Sequence, residues 1–306
     1  TTRLTQSGLS IVEWAPLMGA VPPLDETQWD EVFARYRAFP QYQIDFPGMQ
    51  LSEFKSIFFW EYLHRLVGRL IGVLVLVPLV WFIVRRRISP RLAGYSMIGL
   101  GLGGLQGFLG WYMVKSGLVN EPRVSHYRLA AHLLLAVVCL TWFFALWLRT
   151  NPPKTSHQPA PVVPFRFALW ALGILTLIQL FFGALVAGLR AGRIFNTFPK
   201  MGEGWLPPDF WVVVPAWENF FANAAVVQFI HRTLGIAIVA GLAVWAWAAW
   251  KQTHQRRVWV PLILAALQVV LGVVTLLLVV PVSLGVGHQI LGILFFMTLV
   301  RSLQPS

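Results

Sequence analysis

Residues 57–84 read IFFWEYLHRLVGRLIGVLVLVPLVWFIV, an apolar stretch long enough to cross a lipid bilayer as a single helix. The chain contains seven such stretches, at 57–84, 92–114, 126–148, 166–188, 220–250, 258–280 and 284–301. Only 12% of the residues are charged, whereas soluble domains have roughly 25%. Because lipid offers the backbone no hydrogen bonds, spanning segments form helices or closed barrels, and stretches without alternating polarity favour helices. The sequence therefore predicts an all-α polytopic membrane protein.

The distribution of charge predicts how these spans are oriented. The short loops between them contain no acid and carry Arg85, Arg86, Arg87, Arg91, Arg149, Lys154, Arg166, Lys251, Arg256 and Arg257. Every Asp and Glu except Glu61 lies on the other side. Because basic loops stay in the cytoplasm, segments 1–56 and 189–219 are expected on the periplasmic side of a bacterial inner membrane, or in the mitochondrial intermembrane space. This topology accounts for the net charge of +12, with membrane lipid and not nucleic acid as the contact.

Two external segments have recognisable patterns. Residues 24–39 place Trp29, Phe33 and Tyr36 at helical spacing after an acidic start, which predicts an amphipathic helix lying on the membrane or capping the bundle. Segment 189–219 is rich in proline and glycine, and we expect it to form an irregular lid. The single cysteine, Cys139, lies inside an apolar stretch, so no internal disulfide is expected.

Two sets of motifs recur along the chain in the same order. EYLHRLVG at 61–68 matches QFIHRTLG at 228–235. LQGFLG at 105–110 matches LQVVLG at 267–272. The chain therefore contains two copies of one helical unit in the same topology.

This repeat predicts tandem pseudo-symmetric four-helix bundles. The expected parts are an external segment (1–56), an N-terminal half-bundle (57–148), a cytoplasmic linker (149–165) and a C-terminal four-helix half-bundle (166–306) with the lid 189–219. The first copy has three helices where the second has four. We therefore expect eight transmembrane helices in the native protein, the first of them before Thr1.

Four histidines form two pairs within the repeat. His64 and His231 are equivalent, and His132 and His288 lie near the outer ends of the third and seventh stretches. Charged side chains at a helix centre in the membrane cost about 2.5–3.5 kcal/mol, so ionisable residues there usually serve a function. A lone buried histidine is often structural, and a bare metal ion usually needs three or more protein ligands. Two histidines on neighbouring helices can instead hold a haem, and the paired pattern favours haem.

Small and basic residues accompany these histidines. Gly68, Gly72 and Gly235 follow at helical spacing, either to let a flat macrocycle approach the backbone or to pack helices closely. The basic residues nearby are Arg65, Arg69, Arg128 and Arg232. Arginine binds carboxylates such as haem propionates in a bidentate manner, but it also extends to lipid headgroups, and both interpretations stay open.

The two halves differ at one position. Glu61 lies three residues before His64, whereas Gln228 lies three residues before His231. A carboxylate beside a haem can exchange protons or stabilise a cation, which an amide cannot. The alternative is that Glu61 simply forms an ion pair with Arg65 or Arg128.

Six stretches carry a resemblance to a known family. They are TRLTQSGLSIVEW (2–14), FPGMQLSEFKSIFFWEYLHR (46–65), HYRLAAH (126–132), GLRAGRIFNTFP (188–199), FFANAAVVQFIHR (220–232) and GHQ (287–289). They span essentially the whole chain, which resembles the haem A synthases. The absence of cysteine pairs from the external loops resembles the mitochondrial-like branch of that family.

The resemblance implies a fold and an activity. The family has eight transmembrane helices and oxidises a ring methyl of haem O to a formyl group, giving haem A for terminal oxidases, with water as the oxygen source. It implies haem b on His231 and His288, the substrate haem O between His64 and His132, and Glu61 as the catalytic glutamate. Haem O synthase and oxidase assembly factors are then candidate partners, and a homo-oligomer is left open.

Two other classes are compatible with the residues alone. A di-haem b electron-transfer protein would use the same four histidines without oxidising a methyl group. A transporter can also contain parallel repeats, but it would place polar residues at the middle of broken helices, whereas those here cluster at the outer ends.

Overall fold

The computed structural model of the chain describes residues 2–12, 21–117, 123–151 and 164–303. They form nine α-helices: α1 (Glu26–Arg37), α2 (Leu51–Val84), α3 (Pro90–Gly117), α4 (His126–Thr150), α5 (Arg166–Gly188), α6 (Asn219–Ala222), α7 (Ala224–Thr253), α8 (Val260–Leu277) and α9 (Val282–Leu303). Seven helices, α2–α5 and α7–α9, are long and apolar enough to cross a bilayer, and the described residues contain no β-strand. The predicted all-α polytopic fold is confirmed. The helix predicted before Thr1 stays a prediction.

Local capping explains where two spans begin. α2 starts six residues before the predicted span because Glu53 accepts a hydrogen bond from the backbone of Gln50 and closes its first turn. α7 starts later than predicted because Asn223 has extended backbone, and its side chain accepts hydrogen bonds from the amides of Ala225 and Val226. The preceding residues therefore form the separate short helix α6.

The chain divides into two compact units, Thr1–Leu135 and Ala136–Ser306. In the second unit, α5 packs on α7 and α9, and α8 packs on the same two helices, so the four form a closed bundle. The fully buried residues Leu169, Leu242 and Leu299 lie in its core. The division falls within α4, and residues 152–163 of the predicted linker lie outside the described part, so the predicted domain limits stay a prediction.

In the first unit, α1 caps the external end of α2. Phe33 and Tyr36 of α1 pack against Phe54 and Phe58 of α2 in one buried aromatic cluster. Trp29 adds an edge-on contact with Phe58, with ring centroids 5.0 Å apart. Of the two positions predicted for this helix, the structure has it packed on the bundle.

The lid 189–219 is irregular, and buried asparagine side chains hold its backbone. Asn219 accepts hydrogen bonds from the amides of Val212 and Val213 and donates to two carbonyl groups. Asn196 donates to the carbonyl of Leu276, at the end of α8. These contacts fix the lid within the second unit, where its only regular structure is two short 3-10 helical turns, Ala191–Arg193 and Ala216–Glu218.

Candidate functional site

His231 on α7 and His288 on α9 face each other in the second unit. Their ring centroids lie 6.4 Å apart, and the ring planes are inclined at 73°. Metal–nitrogen bonds of about 2.0 Å on both sides of one iron, plus the ~1.2 Å from each ring centroid to its nitrogen, give a centroid separation of about 6.4 Å. The two side chains are therefore close enough that both could hold one haem iron.

Three of the four histidines lie beside a glutamine of a neighbouring helix, in the pairs Gln106–His132, Gln179–His231 and Gln268–His288. Each glutamine amide nitrogen lies 3.2, 3.5 and 3.2 Å, respectively, from Nε2 of its histidine. The same nitrogen donates to the backbone carbonyl of that histidine at 3.1, 2.9 and 2.8 Å. Each glutamine thus joins two helices at the position of a candidate iron ligand.

A glycine follows each of these glutamines by four residues and faces the same imidazole. A Cβ atom added at Gly110, Gly183 or Gly272 would lie 3.1, 3.1 or 2.7 Å from Cε1 of the histidine. The motif Gln-x-x-x-Gly therefore occurs three times. Two copies belong to the repeat found in the sequence, but the sequence alone assigned them no function. The third copy, Gln179–Gly183, has the same spacing and was not recognised from the sequence.

Haem fits the residues present. In the described part of the chain, Nδ1 of His132, His231 and His288 is buried without a hydrogen-bond partner. Buried polar atoms are normally paired, and imidazole nitrogen is an axial ligand of haem iron. No group of three His, Cys, Asp or Glu among the described residues could hold a bare metal ion.

The surroundings of His64 are more open. His64 lies on α2 and is exposed, and no described atom lies within 4 Å of a Cβ added at Gly68 or Gly72. Gly235 differs, because its added Cβ would lie 3.3 Å from the amide nitrogen of Gln179. Close helix packing is therefore what the structure has at Gly235, where α5 is the neighbour, whereas no described helix packs on Gly68 or Gly72.

Glu61 is 2% exposed and accepts three hydrogen bonds. Its Oε2 accepts from the Ser10 hydroxyl at 2.7 Å and from the Ile11 amide at 2.9 Å. Its Oε1 accepts from the Arg65 guanidinium at 2.6 Å. The ion pair with Arg65 considered from the sequence is present, and the contacts with Ser10 and Ile11 were missed because they join positions about fifty residues apart.

Gln228 occupies the equivalent position in the second unit and has different partners. Its amide nitrogen donates to the carbonyls of Ala191 and Phe195, at 2.9 and 3.2 Å. Glu61 therefore accepts hydrogen bonds where Gln228 donates them, and the difference in residue type is matched by a difference in surroundings.

The arginines predicted near the propionates have defined neighbours. Arg65 donates to the Ile11 carbonyl at 2.8 Å as well as to Glu61, and Arg232 donates to the Phe195 carbonyl at 2.7 Å. The Arg128 guanidinium lies 5.0 Å from the Tyr112 ring centroid, and Arg69 is partly buried on α2. Arg65 and Arg232 thus fasten external backbone, and a propionate role for any of the four stays a prediction.

Helix α1 anchors the segment that reaches Glu61. The Tyr36 hydroxyl donates to Gln41 Oε1 at 3.1 Å, and the Gln41 amide donates to the carbonyl of Gln6 at 3.1 Å. Burial raises the pKa of the Tyr36 phenol well above its usual range, and the carboxylates of Asp45 and Glu61 raise it further. Tyr36 therefore stays protonated and keeps donating at physiological pH.

Comparison with known proteins matches the whole chain. The family model for the cytochrome oxidase assembly protein COX15-CtaA matches residues 1–300. A heme A synthase from Rhodospirillum centenum is 46% identical over 296 residues, covering 94% of this chain and 78% of its own. Heme A synthases from a Wolbachia of Brugia malayi and from Nitrosomonas eutropha are 42% and 44% identical, each over 96% of this chain and over 87% and 85% of their own length. No solved structure matches the chain.

Proposed function

Because the chain belongs to the COX15-CtaA family of cytochrome oxidase assembly proteins, we propose that it is a haem A synthase, a membrane enzyme that oxidises a ring methyl of haem O to the formyl group of haem A. Relatives with this name are 42–46% identical over nearly the whole chain. The observation that carries the chemistry is the inequality of the two halves. Both contain a paired-histidine pattern, but only the first has a buried carboxylate, Glu61.

The reaction needs a group that stabilises positive charge or accepts protons. Conversion of a methyl to a formyl group incorporates one oxygen atom from water and releases four electrons and four protons, through the alcohol and the hydrated aldehyde. Glu61 lies three residues from His64, on the same helix, and its carboxylate can stabilise positive charge on the substrate carbon or accept a proton from water. Gln228 can do neither.

The two histidine pairs then have separate tasks. We assign His64 and His132 to the substrate haem O, and His231 and His288 to a resident haem b. Haem b supplies one-electron transfer when bound, so electrons from the substrate would pass to a one-electron carrier. The His231–His288 pair, whose ring centroids lie 6.4 Å apart within one closed bundle, supports its assignment to a resident cofactor.

We place the protein in a bacterial inner membrane with both haem sites toward the periplasm. The basic loops support this orientation, since such loops stay in the cytoplasm. Haem O synthase and oxidase assembly factors are the proposed partners, because one would supply the substrate and the others would use the product.

Substitution of Glu61 tests the proposed chemistry. In Glu61→Gln, we expect both haems to bind while the product stalls at haem O or its hydroxylated intermediate, because the amide cannot accept a proton. Haems extracted from the purified protein after expression with a haem O supply, separated by chromatography, measure the outcome.

Glu203→Gln is the matched control, since Glu203 is an exposed acid of the lid, and it should make haem A normally. A normal haem A yield from Glu61→Gln would remove the catalytic role. Haem b as the only pigment of the unmodified protein would instead indicate a di-haem electron-transfer protein.

A further inference from the structure

Residues 6–11 and residues 190–195 adopt the same turn in the two halves. Gln6 and Arg190 both have left-handed backbone, with φ of 57° and 54°. The amide of Gln6 donates to the Arg3 carbonyl, and that of Arg190 donates to the Ala187 carbonyl. The next backbone hydrogen bond also repeats. The amide of Ser10 donates to the Ser7 carbonyl at 3.1 Å, and the amide of Ile194 donates to the Ala191 carbonyl at 3.2 Å. Segments 7–11 and 191–195 are therefore structural equivalents.

One anchor of these segments is common to both halves. The arginine that follows the histidine, Arg65 or Arg232, donates to the last carbonyl of the segment, at 2.8 Å for Ile11 and 2.7 Å for Phe195. Because both halves have this bond, it serves the fold and does not distinguish a catalytic half.

Two residues that differ between the halves are in direct contact in the first half. Glu61 replaces Gln228, and Ser10 stands where the second half has Ile194. The Ser10 hydroxyl and Glu61 Oε2 lie 2.7 Å apart, and Ser10 is fully buried. Ile194 is 49% exposed. A serine hydroxyl thus enters the interior only in the half that holds the carboxylate.

The Ser10 hydroxyl has a second partner, the Ser7 carbonyl oxygen at 2.9 Å. A hydroxyl has one proton to donate and lone pairs to accept. While Glu61 is a carboxylate, Ser10 can donate to it. When Glu61 gains a proton, Ser10 can turn its own proton to the Ser7 carbonyl and accept from Glu61, so neither state leaves a buried donor unpaired.

We propose that Ser10 is a positioning residue for Glu61, holding Oε2 in place and adjusting its hydrogen bond as Glu61 takes up and releases a proton during methyl oxidation. The proton accepted by Glu61 comes from the substrate or the attacking water, and Ser10 keeps its own proton throughout. Arg65 fixes the other carboxylate oxygen, so rotation of the carboxylate is prevented at both ends. This proposal rests on the catalytic role proposed for Glu61.

The test compares Ser10→Ala with Ser10→Thr in the full-length protein loaded with haem b. Ser10→Ala should lower kcat for haem O oxidation by about 10-fold, less than the ~10²–10⁴-fold contribution of an acid–base group itself, because Ser10 acts only through Glu61, and KM should change little. Ser10→Thr keeps the hydroxyl and should restore most of the rate. Ile194→Ala, at the equivalent position of the other half, should leave the rate unchanged.

The haem b spectrum controls for folding, because a misfolded variant would lose it. In addition, Ser10→Ala combined with Glu61→Gln should be no slower than Glu61→Gln alone, since groups that act as a unit are not additive. A threonine variant as slow as the alanine variant, or fully multiplicative losses, would overturn the proposal. If Glu61→Gln stalls and Ser10→Ala runs normally, the Ser10 role alone fails; if Glu61→Gln makes haem A normally, the catalytic glutamate fails as well.

Discussion

An imidazole edge packed on a glycine leaves no room for a single methyl group. At Gly272, an added Cβ would lie 2.7 Å from Cε1 of His288, closer than real contacts allow. The added atom would meet the ring of His288, a candidate iron ligand, and any movement of this ring would change its position relative to the iron. A small change at this residue should therefore affect the haem b site directly.

We expect Gly272→Ala to lower the haem b content of the purified protein several-fold, because the ring of His288 must shift from its position opposite His231. The haem absorbance per protein and the line shape of the oxidised haem by electron paramagnetic resonance measure the loss. Gly287→Ala is the matched control, since its Cβ would meet only Leu271, at 3.9 Å. Equal haem content in the two variants would contradict the packing argument.

Residue patterns were enough to find the histidines and Glu61, because each has a counterpart in the repeat. The partners of Glu61 could not be found in the same way. Ser10 lies 51 positions from Glu61, and no local pattern indicates which turn of the external segment will place its hydroxyl there. The third Gln-x-x-x-Gly motif was detectable by its spacing, but its meaning required the geometry of three histidines.

At the scale of elements, the long apolar stretches located every span in the described part of the chain, and the ends of the spans depended on capping contacts. The stretch predicted at 284–301 is the helix Val282–Leu303, which lengthens the shortest predicted span. Asn223 shows why the other boundaries were harder to predict. Its side chain caps α7 and also donates to the carbonyl of Asp209 in the lid at 2.7 Å. One side chain therefore stabilises both the end of the lid and the start of the helix.

Asn223→Ala should destabilise both the helix start and the lid. The loss of an N-cap costs about 1 kcal/mol, and the Asp209 carbonyl also loses the hydrogen bond from the Asn223 amide. We expect a lower Tm in detergent and faster proteolysis within the lid. Asn151→Ala removes an exposed asparagine at the end of α4 and should change neither property. An unchanged cleavage rate in Asn223→Ala would show that the lid does not depend on this contact.

For the whole molecule, composition and charge predicted more of the architecture than local contacts did. The apolar stretches predicted seven spans, and the described residues contain seven helices able to cross a membrane. His132 and His288, which the repeat pairs, lie in matching environments, each beside a glutamine and a glycine of the preceding spanning helix. The eighth helix, expected before Thr1, remains a prediction.

The orientation in the membrane is tested by chemical labelling in intact cells. Cys139 is the single cysteine and lies within α4, so Cys139→Ala provides a background without thiols. In that background, Glu203→Cys places a thiol in the lid, and Arg86→Cys places one in the basic loop after α2. A membrane-impermeant maleimide should label the first variant in intact spheroplasts and the second only after permeabilisation, because basic loops stay in the cytoplasm. The opposite pattern would place Glu61 and the four histidines toward the cytoplasm and would require haem O to arrive from that side.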